Sequence, residues 1–139
     1  TLSDSAMIEH FKANYDQLIS RGVDLLFCNH DEARLLTGAE SVEDCIAALK
    51  DICKTFVMTC GKDGSLAFDG QDLSTAAAIP TTAVDTTGAG DVFAGVFLHC
   101  LCKGLGFSEA NELASKFASK LVSRFGSRLT QEEVDALLK

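Results

Sequence analysis

A glycine-rich junction at residues 85–91 constrains this chain more than any other feature, because it joins a predicted strand to a long apolar helix. The run before it, residues 77–84, is apolar and β-branched, and the run after it, residues 92–101, is almost wholly apolar. Gly88 and Gly90 lack the side chains that would keep a ligand at a distance, and they permit positive φ angles. The pattern therefore predicts a strand, a tight turn and a helix whose first N–H groups face one spot.

Asp91 falls in the first turn of that predicted helix. Free N–H groups and the positive end of the helix dipole favour an anion such as a phosphoryl group at this place. A carboxylate beside an anion site cannot itself bind the anion, so Asp91 is a candidate base that activates a hydroxyl for attack. The alternative is an ordinary tight turn in which Asp91 only stabilises the helix end.

Hydrophobic periodicity and turn residues predict an alternation of helices and strands. In chain order the predicted elements are a helix over 3–20, a strand over 24–28, a helix after Asn29, a helix over 41–52, a strand over 55–59, a turn over 61–64, a strand over 65–69, a strand over 77–84, a helix over 92–101 capped by Gly104, a helix from 110 to 125 and a short helix over 134–138. This order predicts an α/β sandwich with a mainly parallel sheet. Ligands bind such sheets beyond the carboxyl ends of the strands.

Composition narrows the class of protein. A length of 139 residues with 47% apolar and 23% charged residues fits one soluble domain. A net charge of −8 argues against nucleic acid or an anionic membrane as a partner. The cysteines form no Cys-x-x-Cys pair and are expected to be small, reduced core residues of a cytoplasmic protein: Cys28, Cys45, Cys53, Cys60, Cys100 and Cys102.

Two upstream motifs have ordinary structural explanations. Asn29 and Glu32 follow a predicted strand and fit a helix capping box. Residues 59–64, Thr-Cys-Gly-Lys-Asp-Gly, fit a hairpin turn and are not a Walker A loop, because no Gly-Lys-Ser/Thr opens a helix there. The glycine-rich junction is not a dinucleotide fingerprint either, because Phe93 stands where that motif needs its third glycine.

Three ordered motifs nevertheless resemble those of the ribokinase/adenosine kinase family, the PfkB-type carbohydrate kinases. They are Asn29-His30-Asp31-Glu32, the run Thr-Cys-Gly-Lys-Asp-Gly-Ser over residues 59–65, and the run Asp-Thr-Thr-Gly-Ala-Gly-Asp over 85–91 followed by Val-Phe-Ala-Gly-Val-Phe. The resemblance covers nearly the whole chain and implies the C-terminal part of a ribokinase-like three-layer α/β sandwich. Family members are substantially longer, so we expect residues 1–139 to be the ATP-binding part of a kinase domain whose N-terminal half is absent.

The resemblance also implies a site for ATP and Mg²⁺. The implied nucleotide-binding residues are Asn29, Glu32, Thr59, Gly61, Gly64, Ser115 and Ala118, with Glu32 holding Mg²⁺ through water. The implied catalytic residues are Gly88, Ala89, Gly90 and Asp91: Asp91 takes the hydroxyl proton and backbone amides stabilise the transferring group. A monovalent cation, usually K⁺ in the family, would be held by Asp85, Thr87, Ser123 and Gly126.

The implied activity is ATP-dependent phosphoryl transfer to a primary hydroxyl of a small molecule, either a sugar or a nucleoside. The amino-acid sequences of residues 24–29 and 122–128 resemble the adenosine kinase-like branch of the family and favour it. A non-catalytic nucleotide-binding protein of the same fold and a vitamin-precursor kinase are the alternatives. We further expect no nucleic-acid or membrane partner, no activity of residues 1–139 alone, and self-association into a homodimer.

Overall fold

The computed structural model describes residues 1–2 and 4–138, which divide into two compact units. Unit 1 comprises Thr1–Cys60 and Leu66–Leu73, and unit 2 comprises Gly61–Ser65 and Ser74–Lys139. The turn after Cys60 therefore belongs to unit 2, although the strand before it belongs to unit 1.

The described residues contain seven α-helices and four strands. In chain order they are α1 (Ser5–His10), α2 (Lys12–Ile19), β1 (Leu25–Asn29), α3 (His30–Thr37), α4 (Val42–Ile52), β2 (Thr55–Thr59), β3 (Ser65–Phe68), β4 (Leu73–Ala76), α5 (Ala89–Cys102), α6 (Phe107–Val122) and α7 (Gln131–Leu137), with a 3-10 turn at Gly61–Asp63. The strands form one sheet in the order β1-β2-β3-β4. The mixed α/β class and most predicted elements are thereby confirmed.

Strands β1 and β2 pair in parallel and centre the core of unit 1. Leu25 lies opposite Thr55 at the start of the pair, and Asn29 lies opposite Thr59 at its end. Side chains of both strands are buried with those of the flanking helices, chiefly Ile8, Leu26, Cys28, Leu36, Leu49, Phe56 and Met58. Parallel strands covered by helices read as continuous apolar runs, which is why the sequence located both.

The first helix departs from the sequence prediction. A single helix over 3–20 is wrong, because α1 ends at His10, Phe11 leaves the helical conformation (φ −120°, ψ 28°), and α2 begins at Lys12. Tertiary hydrogen bonds hold α2 in place: the Tyr15 hydroxyl donates to the carbonyl of Leu2 (3.0 Å), and the Lys12 ammonium donates to that of Leu36 (2.7 Å). Position 3 of that prediction lies outside the described residues.

The strand expected over 77–84 is also wrong. The last strand, β4, ends at Ala76, and the following residues are irregular. Pro80 lacks an N–H group and cannot donate to a strand ladder. The segment bonds to the end of helix α6 instead, where the N–H of Val84 donates to the carbonyl of Val122 at 2.7 Å.

Helices α5 and α6 form the core of unit 2. The rings of Phe93 and Phe97 stack at 6.4 Å, and Phe107 meets Phe97 edge-on at 5.1 Å. The sequence placed Phe125 on the buried face of α6, but the helix ends at Val122 and Phe125 is 79% exposed. Periodicity alone did not indicate where the helix stops.

All six cysteines lie among the described residues, and none of them forms a disulfide bond. Cys28, Cys45, Cys53 and Cys100 are buried as expected, and Cys60 is half-buried. Burial raises the pKa of Cys53 to about 11, so this thiol stays protonated at neutral pH. Cys102, the last residue of α5, is exposed, so the expectation of a core residue is wrong there.

Candidate functional site

Two of the implied nucleotide-binding residues meet at the carboxyl ends of β1 and β2. Asn29 and Thr59 are the last residues of these parallel strands and lie opposite each other in the register. Asn29 is also the N-cap of α3, so the strand passes directly into the helix. This is the edge at which α/β sheets bind ligands.

The predicted capping box at Asn29 is confirmed. The N–H of Glu32 donates to Oδ1 of Asn29 at 2.8 Å, and the N–H of Asn29 donates to Oε2 of Glu32 at 2.9 Å. The structural explanation of this motif is therefore correct. It does not exclude a ligand role, because Oε1 of Glu32 receives no hydrogen bond from the described residues.

The side-chain oxygens at this helix start are of the kind that ligates Mg²⁺. Glu32 is a carboxylate only 7% exposed, and the Asn29 side chain adds an amide oxygen. Among the described residues no three His, Cys, Asp or Glu side chains converge as a protein cage for a metal would require. Mg²⁺ needs no such cage, since it commonly binds through one or two carboxylates, waters and substrate phosphates.

The turn after β2 lies in unit 2, and its two glycines differ. Gly61 has a φ of 56°, is exposed, and has open space where a side chain would be. Gly64 has a φ of 97°, and a Cβ there would lie 2.2 Å from the backbone oxygen of Ala76. Gly61 is thus accessible to a ligand, whereas the glycine at 64 is required by packing.

The glycine-rich junction also contains two different glycines. Gly88 has a φ of 79°, and a Cβ there would lie 3.0 Å from the carbonyl oxygen of Ser127. Gly90 is helical and does not use the positive φ that glycine permits, and no atom outside its chain neighbours and its own helix backbone lies within 4 Å of the position that a Cβ would occupy. Gly88 shapes the turn, and Gly90 leaves the surface above the helix start open.

Helix α5 starts at this junction without a side-chain cap. The N–H of Ala89 donates to the carbonyl of Thr86 at 3.2 Å. The N–H groups of Gly90 and Asp91 have no acceptor among the described residues. Asp91 itself is exposed in the first turn. The helix start therefore presents two available amides and one carboxylate, as an anion site with an adjacent base requires.

Asp85 stabilises the junction by two hydrogen bonds from backbone N–H groups. Its Oδ1 accepts the N–H of Thr87 at 2.9 Å, and its Oδ2 accepts the N–H of Gly126 at 3.1 Å. Hydrogen bonds from Thr87 and then from Gly126 lower the pKa of the Asp85 carboxyl below its ordinary value. The structure thus brings together three of the four residues expected to hold a monovalent cation. The hydroxyl of the fourth, Ser123, donates to the carbonyl of Lys120.

Helix α6 presents a polar group of side chains to the residue after the turn. Ser115, expected near the adenine, lies 3.0 Å from the hydroxyl of Ser65, and Ala118 is half-buried on the same helix. Asn111, fully buried, also bonds to Ser65, and this residue was not predicted from the sequence. The available signal was an amide four residues before Ser115, within an apolar helical period.

Nearly the whole chain is similar to proteins of one family. The pfkB family of carbohydrate kinases matches residues 1–134. A cytidine kinase from Thermococcus kodakarensis is 34% identical over 113 residues, which is 79% of this chain and 40% of that protein.

Solved structures agree with this match. An adenosine kinase from Sinorhizobium meliloti superposes with a TM-score of 0.88 and 29% identity over 96% of this chain and 42% of its own. A ribokinase from Arabidopsis thaliana, solved with ribose and ATP, gives a TM-score of 0.73 and 31% identity over 84% of this chain and 41% of its own. The predicted ribokinase-like α/β fold is confirmed. The chain spans about two fifths of the length of these relatives.

Proposed function

Because this chain belongs to the pfkB family of carbohydrate kinases, we propose that it forms the ATP-binding part of a sugar or nucleoside kinase. The complete enzyme transfers the γ-phosphoryl group of ATP to a primary hydroxyl of its acceptor. The observation that carries the proposal is the start of α5, where the available amides of Gly90 and Asp91 stand beside an exposed carboxylate. No other described helix of eight residues or more combines these features with a glycine whose surface is open.

Asp91 is the proposed base. It takes the proton of the acceptor hydroxyl as the oxygen attacks phosphorus, and the bond from phosphorus to the bridging oxygen of ADP breaks. The amides of Gly90 and Asp91 stabilise the negative charge on the transferring group, and Ala89 holds the turn through its bond to Thr86. These dipoles are fixed before the reaction, so no reorganisation is needed.

Four more of the implied residues bind Mg²⁺ or the phosphates in this proposal. Asn29 and Glu32 would hold Mg²⁺ largely through water, and the ion would neutralise phosphate charge. Thr59 and Gly61 face phosphate oxygens. Asp85 and its backbone partners brace the junction, where oxygen atoms of Asp85, Thr87, Ser123 and Gly126 would hold K⁺.

A nucleoside is the acceptor that we propose first. Relatives named for cytidine and adenosine are 34% and 29% identical to this chain. A ribokinase at 31% identity keeps a free sugar as the competing acceptor. The relatives are longer than this chain, and the acceptor-binding residues would lie in the part of them that this chain does not span. We therefore propose that residues 1–139 alone bind MgATP weakly and transfer no phosphate.

The test is phosphate transfer by the complete polypeptide that carries these residues. It is incubated with labelled ATP, Mg²⁺ and K⁺ together with adenosine, cytidine or ribose, and the labelled product is separated. Adenosine or cytidine should be phosphorylated at the highest kcat/KM. Faster transfer to ribose would contradict the nucleoside assignment, and binding of ATP without transfer to any acceptor would favour a non-catalytic protein. Faster transfer to a vitamin precursor would establish the remaining alternative.

A further inference from the structure

A group of two buried polar side chains and one half-buried one in unit 2 joins helix α6 to the end of the turn at Gly61–Gly64. We call its members, Ser65, Asn111 and Ser115, the polar lock. Asn111 is 0% exposed and Ser65 is 4% exposed. Buried polar groups cost free energy unless they are hydrogen-bonded. The buried members of the polar lock are therefore expected to have hydrogen-bond partners.

The directions of the hydrogen bonds in the polar lock can be assigned. The hydroxyl of Ser65 donates to Oδ1 of Asn111 at 2.7 Å. A serine hydroxyl has a single hydrogen, so the 3.0 Å contact with Ser115 requires Ser115 to be the donor there. The amide nitrogen of Asn111 also donates to the carbonyl oxygen of Ser65 at 3.4 Å. Asn111 therefore holds both the side chain and the backbone of Ser65.

The polar lock fixes one end of the turn. Ser65 directly follows Gly64, whose φ is 97° and whose Cα lies against the backbone of Ala76. Asn111 and Ser115 are four residues apart on α6 and therefore project from one helix face. The turn is thus bounded at its end by helix side chains and by the end of β4. It cannot move relative to α6 without breaking these bonds.

We infer that Asn111 is a positioning residue for nucleotide binding: through Ser65 it sets the place of the turn that presents Gly61. This inference rests on the proposed function, because the turn is assigned there to the phosphates of ATP. It also changes the role of Ser115. The hydroxyl hydrogen of Ser115 goes to Ser65, so this residue acts by holding the turn and not by donating to the nucleotide.

Kinetics of the complete polypeptide separate positioning from plain stability. Asn111→Ala should raise the KM for ATP about tenfold, since it leaves the Ser65 groups unpaired, and should leave kcat and the KM of the acceptor within about twofold. The matched control is Phe117→Leu, because Phe117 is 3% exposed on the same helix. This control should lower the melting temperature and leave the KM for ATP unchanged.

Asn111→Asp provides a rescue test. Its carboxylate keeps the acceptor for the Ser65 hydroxyl but lacks the donor to the Ser65 carbonyl, and it buries a charge. Burial raises the pKa of such a group, so lowering the pH protonates it and restores a donor. The KM for ATP of this variant, relative to wild type at each pH, should therefore fall as the pH is lowered from 8 to 6. A ratio that does not change with pH would argue against the assigned bonds.

Hydrogen exchange gives a readout that needs no nucleotide. In Asn111→Ala, amides of residues 61–66 should exchange at least about tenfold faster, whereas α5 should keep its protection. Unchanged exchange at this turn, or an unchanged KM for ATP in a protein that binds MgATP, overturns the inference. A wild-type protein that binds no MgATP contradicts the proposed function instead, and the exchange data then decide on the polar lock alone.

Discussion

Helices α3 and α5 both begin at motifs that are predicted to bind MgATP, yet their first turns are capped differently. Helix α3 in unit 1 has a complete capping box, in which Asn29 and Glu32 satisfy each other's backbone N–H groups. Helix α5 in unit 2 follows Gly88 and has no side-chain cap. At α3 the cap fixes two side-chain oxygens at the first turn, whereas at α5 no side chain bonds to the first backbone amides. The two helix starts would therefore offer a ligand different groups, oriented side-chain oxygens at α3 and uncapped amides at α5.

The difference also predicts where substitutions separate stability from activity. At α3 the groups that stabilise the helix are also those proposed to face the ligand, so every change should affect both properties. At α5 the turn is stabilised by Gly88 and Asp85, which lie beside the available amides of Gly90 and Asp91. A natural site that leaves backbone donors unpaired gives up helix stability there. Substitutions at α5 should therefore reveal function and fold separately.

The largest expected effect belongs to Asp91→Asn. It removes the proposed base but keeps the shape of the side chain, so kcat should fall at least about 10²-fold while the KM for ATP changes little. Asp31→Asn is the matched control, because Asp31 is also an acid in the first turn of a helix, α3. Steady-state kinetics of both variants check this. A variant of Asp91 with near wild-type kcat would exclude this residue as the base.

The two glycines of the junction should give opposite results. Gly90→Ala adds a methyl group in open space on a helix, so we expect unchanged or slightly higher stability and about tenfold weaker binding of MgATP. Gly88→Ala forces a side chain into a φ of 79° beside Ser127, which should cost about 1–3 kcal/mol of unfolding free energy. Thermal unfolding and nucleotide titration measure both. Loss of fold in Gly90→Ala would show that the open surface is structural.

The α5 junction was predictable in part from the sequence. Its turn, its helix and the place of Asp91 follow from glycines before an apolar run, and the capping box at Asn29 follows from residue spacing. The distinct roles of Gly88 and Gly90 could not be predicted, because they depend on Ser127, which approaches from a distant part of the chain. The buried Asn111 escaped for the same reason: its partner Ser65 is 46 positions away.

A smaller effect is expected at the capped helix. Asn29→Ala removes the acceptor for the N–H of Glu32 and should lower the unfolding free energy by about 1 kcal/mol, whereas Asn29→Asp should retain most of it. Because Glu32 loses its orienting partner, the Mg²⁺ concentration that gives half-maximal binding of ATP should also rise. Chemical unfolding and Mg²⁺ titration of the two variants check this. A change in stability with no change in Mg²⁺ dependence would separate the cap from the ligand site and weaken the comparison.

The smallest expected effect is the acid sensitivity of the α5 junction. Hydrogen bonds from Thr87 and Gly126 lower the pKa of Asp85 in the folded chain. A carboxyl group whose folded pKa is depressed adds stability above its unfolded pKa, about 3.9, and this stability is lost as the pH falls through the folded pKa. The melting temperature of wild type should exceed that of Asp85→Asn at neutral pH, and the gap should close below about pH 4. Asp63→Asn, an exposed carboxylate outside the junction, is the control and should show no such gap. A gap for Asp85→Asn that persists at low pH would mean that its bonds to Thr87 and Gly126 do not require the charge.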